Sequence, residues 1–337
     1  MTREENQRLN AREYEDALTV LESLPQFLVI ELTQGCNLRC PMCRTDAISI
    51  AQSRMDPAHF DQVAAELFAT ANLVDLRGWG ESLILPDITR FIVRTASAGC
   101  RIRFVSNLSF HRNDVLDCVA LHQVMLTCSL DAATPDVLVR LRKGSQWTAI
   151  IDNLAYLARA HPNPEMLVVL CTVQTPALAS LPLLPELVAR LGIHQLHFAS
   201  VSSKNPELGL DFGSSFAHDQ VRQTIENCKR FKVTPTLTTS LPGMPVPPMP
   251  RCMRPWTTMH VNVLGQIGYC DHLIGPFAES QLLGHLSEGT LAVWNNEQWQ
   301  KIRTRHILKI PQFKKCVKCY RDNGVEFEPM WLGKEWL

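Results

Sequence analysis

The chain has 337 residues, and its 33 basic and 33 acidic side chains cancel to a net charge of zero. That balance argues against a protein living on nucleic-acid phosphates, which would carry a basic excess or basic runs. A hydrophobic fraction of 46% against 20% charged residues marks a globular chain, and no run of about 18 or more apolar residues offers a membrane span.

The N-terminus, MTREENQRLN, has neither the basic start nor the apolar stretch of a signal peptide. A cytoplasmic protein is expected, in which cysteines stay reduced. There are twelve cysteines, and reduced cysteines at short spacing point to metal rather than to disulfides.

In chain order, Leu9, Tyr14, Leu18, Leu21 and Leu24 stand near helical spacing and predict an amphipathic helix over 9–24, stopped by Pro25. Residues 27–33, FLVIELT, read as a buried strand. Asp56-Pro57 is an N-cap followed by proline, and Phe60, Val63, Ala64, Leu67 and Phe68 behind it form one apolar helix face. Strands are then predicted at 73–77, 101–106, 124–130, 166–173 and 194–200. Helices are predicted at 87–98, 113–121, 134–142, 147–160, 178–191 and 216–230. About six strands alternating with helices imply a parallel α/β sheet covered by helices. Six units are too few for an eight-fold barrel, which leaves an open partial barrel or a doubly wound sheet; either gathers ligands at the carboxyl ends of its strands.

Residues 241–250, LPGMPVPPMP, hold five prolines and predict an extended, stiff linker. Beyond it TTMHVNV and QIGYC form a hairpin turning at Leu264-Gly265, and a Trp-rich helix is expected at 290–305. The expected organisation is an N-terminal helix (1–26), an α/β unit (27–240), a linker (241–251) and a small C-terminal α+β module (252–337).

After the first strand stands Gly35-Cys36-Asn37-Leu38-Arg39-Cys40-Pro41-Met42-Cys43, a C-x3-C-x2-C spacing. Three thiolates on one loop can wrap an iron–sulfur cluster, and because four-iron clusters usually take four cysteines, one iron is left open for chemistry. The competing reading is structural zinc, which normally closes its shell with four Cys/His ligands; no histidine lies nearby at suitable spacing. A second set, Cys252, Cys270, Cys316 and Cys319, is spaced C-x17-C-x45-C-x2-C. Four thiolates complete a cluster, and a zinc ribbon fits that spacing as well.

The first cysteine pattern, placed at the end of strand one of an α/β repeat, resembles the radical S-adenosylmethionine (SAM) superfamily. The resemblance implies a partial (β/α)6 TIM-like barrel. It implies a SAM-binding 4Fe–4S cluster on Cys36, Cys40 and Cys43, and a 5′-deoxyadenosyl radical that takes a hydrogen atom from substrate. Gly78-Trp79-Gly80-Glu81-Ser82 is similar to the family's G-G-E-P segment, which contacts the SAM amino group. Trp79 replaces one glycine and Ser82 the proline, changes that contact through backbone carbonyls would survive, so Trp79, Gly80 and Glu81 are carried over; the segment also reads as a plain strand-to-helix turn. Ser106-Asn107 resembles the family's T-N-G, and Ser129-Leu130-Asp131 its S-x-D; short polar side chains there can reach the ribose or the methionine carboxylate of SAM. Asp131, just before Thr134-Pro135, equally reads as a loop or helix cap. Met42 stands where the family often has an aromatic over the adenine.

The C-terminal stretch, from Cys252 through Gly265 and Cys270 to Leu283-Gly284-His285-Leu286 and Trp294, is similar to the SPASM and shortened twitch extensions of the superfamily. With Cys319 as the last cysteine, the twitch form with one auxiliary 4Fe–4S cluster is implied. Asp271, directly after Cys270, is by resemblance to sulfatase-maturing members a candidate base; a hydrogen-bonding role is as good a reading, and His272 and His260 are weaker candidates. The other five cysteines read as buried thiols, with Cys171 on a strand whose side chains can face the barrel lumen. The short stretch before strand one, without a peptide-recognition domain, favours a small polar substrate such as a sugar, aminocyclitol, nucleoside or sugar acid. Such a substrate would undergo dehydrogenation, epimerisation or decarboxylation, and Arg77 would face a uronate carboxylate. A peptide maturase is the alternative, and a structural zinc protein a remote one. The implied partners are a flavodoxin- or ferredoxin-like reductant and the substrate, with no nucleic acid and no membrane.

Overall fold

The computed structural model describes residues 1–43, 53–201, 205–245, 251–270 and 282–310, and the single positions 313, 316 and 319. Helix α1, Arg3–Glu15, opens on a capping box in which Thr2 Oγ1 accepts from Glu5 N at 3.2 Å and Glu5 Oε2 accepts from Thr2 N at 2.7 Å. The expected helix over 9–24 is therefore shifted towards the N-terminus. It stops where Ala17 turns to a φ of 57°, and Leu18, Leu21 and Leu24 lie beyond it in irregular chain.

Seven strands pair in parallel in chain order: β1 (Phe27–Ile30), β2 (Leu73–Asp75), β3 (Arg101–Ser106), β4 (Met125–Ser129), β5 (Leu167–Val173), β6 (Gln195–Ser200) and β7 (Thr234–Leu237). The crossovers carry helices α2 (Pro57–Leu67), α3 (Ile88–Ser97), α4 (Asn113–Leu121), α5 (Pro135–Leu141), α6 (Trp147–Ala160), α7 (Leu184–Arg190) and α8 (Ser215–Arg230). Helix α2 starts as its sequence requires. Asp56 caps Ala58 N at 2.9 Å, Pro57 takes the first position, and Phe60, Val63, Ala64 and Leu67 are buried. The region expected to be helical from 178 to 191 is 3-10 helix up to Leu183, with Pro182 inside it, and only then α7.

Past the barrel strands come α9 (Arg254–Thr257), β8 (Thr258–Val261), β9 (Gln266–Gly268), β10 (Gly284–His285), α10 (Thr290–Trp294) and α11 (Glu297–Ile307). The hairpin is where the sequence places it, with Gly265 at a φ of 76°. The expected helix over 290–305 is two helices, parted at Asn295-Asn296, where Asn296 caps Trp299 N at 2.9 Å. Strand β8 adds to β1 in parallel, so the described strands form one open sheet in the order β10-β9-β8-β1-β2-β3-β4-β5-β6-β7. Of the proline-rich segment, residues 241–245 are described, and Leu241 and Met244 close a tight turn with paired backbone hydrogen bonds of 3.0 and 2.9 Å.

The sheet has two unlike faces. Leu28, Val74, Phe104, Leu126 and Phe198 point towards the helices and join the main apolar core. The alternate positions, in register across the strands, include Val29, Asp75, Arg103, Thr127 and His197. At the amino ends of the strands this second face is apolar, with Leu73 and Met125 packed together against Phe27 and Met166. The same face also carries the buried polar side chains of Asp75, Arg103, Thr127 and His197, with Arg103 in register with Met125. Because side chains from β1, β2 and β4 and from the start of β5 meet in one small cluster on this face, the sheet curls into a partial barrel whose interior holds both apolar and polar groups.

The N-terminal segment closes over the C-terminal one. Asn10 Nδ2 donates to Trp256 O at 2.6 Å, Trp256 Nε1 to Leu18 O at 2.7 Å, and Trp294 Nε1 to Ser23 O at 2.8 Å. Arg303, fully buried, donates to Pro255 O, Thr19 O, Trp294 O and Asn295 Oδ1 at 2.8–3.0 Å and lies over the Trp294 ring. Burial pulls its pKa down to about 9. Replacing it removes four hydrogen bonds at once, although Pro255 O keeps Trp299 Nε1 and Asn295 Oδ1 keeps Leu21 N as donors. Arg303→Ala should lower the stability read from urea unfolding by about 3 kcal/mol, and Arg303→Lys should recover only part, since one ammonium lacks the planar fork.

Candidate SAM and cluster site at the barrel mouth

Residues Thr33–Gly35 carry the chain from β1 into the cysteine loop, and both of their sides are held by backbone. On one side Thr33 Oγ1 donates to Ser53 O at 2.7 Å and Ser53 Oγ accepts from Gln34 N at 2.7 Å. On the other, Gly80 N donates to Thr33 O at 3.2 Å and Glu81 N to Gly35 O at 2.9 Å. A Cβ on Gly80 would stand 2.3 Å from Gly35 O, so only glycine permits this contact.

Glu81 turns inward. Its carboxylate accepts from Asn107 N at 2.7 Å, Ser106 Oγ at 2.8 Å and Leu83 N at 3.3 Å, and burial pushes its pKa up to about 7 against those bonds. Asn107 in turn reaches the cysteine loop. Its Nδ2 donates to Asn37 Oδ1 at 2.9 Å and lies 3.9 Å from Cys36 Sγ, while Asn37 Nδ2 donates to Ser109 O at 2.7 Å. Glu81, Asn107 and Cys36 thus form one linked set spanning β2, β3 and the loop.

Asp131 is fully buried and pairs with Arg142. Its Oδ2 lies 2.8 Å from Arg142 Nε, and its Oδ1 accepts from Arg142 Nη2 at 3.0 Å and Thr172 N at 2.9 Å. It caps no helix; Thr134 holds the N-cap position of α5. Burial raises the pKa of Cys40, and the Arg142 charge opposes that rise. Arg142 carries no sequence signal, because a basic residue closing a helix is ordinary there. Ser129 ends β4 and is buried, and Met42 packs half-buried against the core.

The three loop thiols fit a cluster by donor type and by their place on one loop. Burial, together with Glu81, Cys40 and Cys43, pushes the Cys36 thiol up to about 11, as burial does for the core thiol of Cys128. As placed, no group of three His, Cys, Asp or Glu side chains among the described residues converges tightly enough to hold a metal ion. The cysteines share a loop and a field rather than a finished cage.

The C-terminal cysteines gather around Tyr269. Its hydroxyl lies 3.1 Å from Cys316 Sγ and 3.3 Å from His306 Nε2. Burial, followed by the charges of Cys316, Cys270 and Cys252, lifts its pKa well above the phenol range. Cys319 is exposed. Asp271 and His272 lie outside the described residues. His260 is buried on β8. Cys171 is a buried thiol on the helix-facing side of β5, in the main core: its register partner Phe198 shares that face, and the lumen-facing position falls to Thr172.

The buried polar set inside the barrel carried no sequence signal apart from Arg77. Asp75 receives two guanidiniums, Arg103 through Nη2 at 2.6 Å and Nε at 2.7 Å, and Arg77 through Nε at 2.9 Å. Beside them His197 Nδ1 meets Thr236 Oγ1 at 2.6 Å.

An open α/β barrel with a three-cysteine loop at the end of its first strand defines a class of cluster-binding enzymes. Residues 30–177 match the family model of the radical SAM superfamily, and residues 252–320 match that of an iron–sulfur cluster-binding domain, SPASM. The chain belongs to the radical SAM superfamily and carries a SPASM domain, and its cofactors are SAM and 4Fe–4S clusters. Among solved structures, Streptococcus suis SuiB bound to S-adenosylmethionine aligns at a TM-score of 0.66 and 15% identity, over 94% of this chain and 75% of that one. The anSMEcpe enzyme with bound AdoMet gives 0.65 and 15%, over 88% and 86%. At such identity the likeness is one of fold. Among curated proteins no sequence matches. No helix among the described residues is long and apolar enough to cross a membrane.

Burial, then the Arg103 charge, lowers the His197 pKa to about 4. A depressed folded-state value means that its contribution is present above about pH 6.5 and lost as pH falls towards 4. Urea unfolding of the wild type should lose on the order of 3 kcal/mol from this group across that window. His197→Gln should flatten that slope; an unchanged slope would show that the imidazole is not held neutral.

Proposed function

We propose that this enzyme acts on a small polar substrate held at the barrel mouth. Cys36, Cys40 and Cys43 hold the SAM-binding cluster, and Cys252, Cys270, Cys316 and Cys319 hold one auxiliary cluster. The observation that carries the substrate reading is the polar set inside the barrel: Asp75 with Arg77 and Arg103, Thr127, and a neutral His197, all buried but Arg77, offer charged and hydrogen-bonding partners beside the apolar cluster of Leu73 and Met125. When bound, SAM and its cluster supply a 5′-deoxyadenosyl radical for hydrogen abstraction.

The remaining work falls to the chain's own side chains. Trp79 and Gly80 present backbone to the SAM amino group, with Glu81 fixing that turn from behind. Ser129 and Asn107 reach polar groups of SAM, Met42 covers its adenine, and Asp131 acts by orienting Arg142. Arg142 offsets the negative charge of the loop thiolates. The guanidiniums of Arg77 and Arg103 orient hydroxyl or carboxylate groups of the substrate, as suits a sugar, an aminocyclitol or a sugar acid. Asp271 is the proposed base if the reaction is an oxidation that releases a proton; epimerisation and decarboxylation use the same opening hydrogen transfer.

A peptide substrate is the competing reading. SuiB is known bound to its precursor peptide SuiA, and anSMEcpe bound to AdoMet and peptides. One assay separates the two: 5′-deoxyadenosine release measured against sugars, aminocyclitols, nucleosides and peptides. Stimulation by peptide alone would overturn the small-substrate reading. Anaerobic reconstitution should give about eight irons per chain, and about four would remove the auxiliary cluster. Arg103→Met should cut substrate-stimulated turnover at least tenfold, to about 10% or less, while SAM still binds.

A further inference from the structure

One buried carboxylate is used by none of the steps above. Glu31 directly follows β1 and is fully buried. Its Oε1 accepts from Trp79 N at 2.8 Å, and its Oε2 accepts from Gln34 Nε2 at 3.1 Å and from Val263 N at 3.4 Å. Its own N–H donates to Val261 O at 2.9 Å. Three segments far apart in sequence therefore end on one side chain: the approach to the cysteine loop, the turn after β2, and the hairpin between β8 and β9.

The fit is tight. A Cβ on Gly78 would stand 2.2 Å from Glu31 Cγ and 2.8 Å from Oε1, so the chain can run over this carboxyl only as glycine. Three N–H donors aimed at two oxygens need an all-acceptor group, which a carboxylate is and an amide is not. Burial raises the Glu31 pKa, and the three hydrogen bonds oppose that rise without cancelling it. A carboxyl kept in so costly a place specifies geometry more than it adds stability.

We propose that Glu31 is a positioning residue for SAM: it sets the backbone of Trp79–Glu81 at the height from which that turn meets the SAM amino group, and it ties that height to the C-terminal hairpin through Val263. The inference rests on the reading of the turn after β2 as part of the SAM pocket. Two consequences follow from it. Loss of the carboxylate weakens SAM binding while leaving the chemical step intact, and the position of the hairpin that leads to Cys270 is felt at the SAM pocket.

The test uses the reconstituted holoenzyme with Glu31→Gln and Glu31→Asp. Equilibrium dialysis gives the SAM Kd, initial rates give KM for SAM and kcat for 5′-deoxyadenosine formation, and iron content and thermal unfolding are read alongside. The expected result is a Kd and KM raised about tenfold, with kcat within about twofold of wild type and full iron content. Wild-type SAM affinity in both variants overturns the proposal. So does a loss of iron or of folding in both without a separate change in SAM affinity, which makes Glu31 purely structural. Gly80→Ala is run in parallel. If it weakens SAM binding and the Glu31 variants do not, the role of Glu31 alone fails. If Gly80→Ala also binds SAM normally, the reading of the turn as SAM contact fails.

Discussion

Everything at the barrel mouth depends on one close backbone contact. Gly80 lies on Gly35 with no side chain between them, and a single added carbon would occupy the space of a carbonyl oxygen. Because that contact is made by main chain, the height of the turn after β2 and the origin of the cysteine loop are set together. The Glu81 carboxylate then extends the same unit to the end of β3 through Ser106 and Asn107, and Asn107 returns it to Asn37 within the loop. The loop carrying the three thiols is thus held at its root by hydrogen bonds from two neighbouring strand ends.

The two faces of the sheet divide stability from chemistry. The helix-facing side is continuous and apolar, and four buried cysteines sit in the core cluster there as small hydrophobes: Cys100, Cys128, Cys171 and Cys228. The concave side mixes the apolar Leu73 and Met125 with the buried polar Asp75, Arg103 and His197. Charges buried on strands cost stability unless they are paired. Here Asp75 takes two arginines, which keeps long cationic side chains at fixed positions inside the barrel.

The parts of this organisation that repeat or cluster locally were legible in the sequence. The cysteine loop, the capped apolar face of α2, the hairpin at Gly265 and most barrel strands follow from spacing and periodicity. Three kinds of feature were not. Strand β7 is a half-buried edge with a proline in Thr234–Leu237, too weak a pattern to register. Helix α1 buries Asn6, Asn10 and Glu13 and is marked by its cap rather than by an apolar stripe, so Leu18 and Leu21 drew the expected helix too far along the chain. The ion pairs of Asp75 and Asp131 join residues on different elements, and a side chain such as Arg142 gains its meaning only from what folds against it.

The clasp between the two ends of the chain has a bearing on how the protein is made. Asn10 is bonded to Trp256, Leu21 to Asn295 and Thr19 to Arg303, partners separated by 246, 274 and 284 residues. A ribosome delivers the first of each pair long before the second, so the N-terminal segment waits for its partners while the barrel between them is made. Strand β1 waits in the same way for β8 on one side while β2 to β7 assemble on the other. The sheet in this sense grows outward from β1, and β8 to β10, made after β2 to β7, complete it on the other side of that strand.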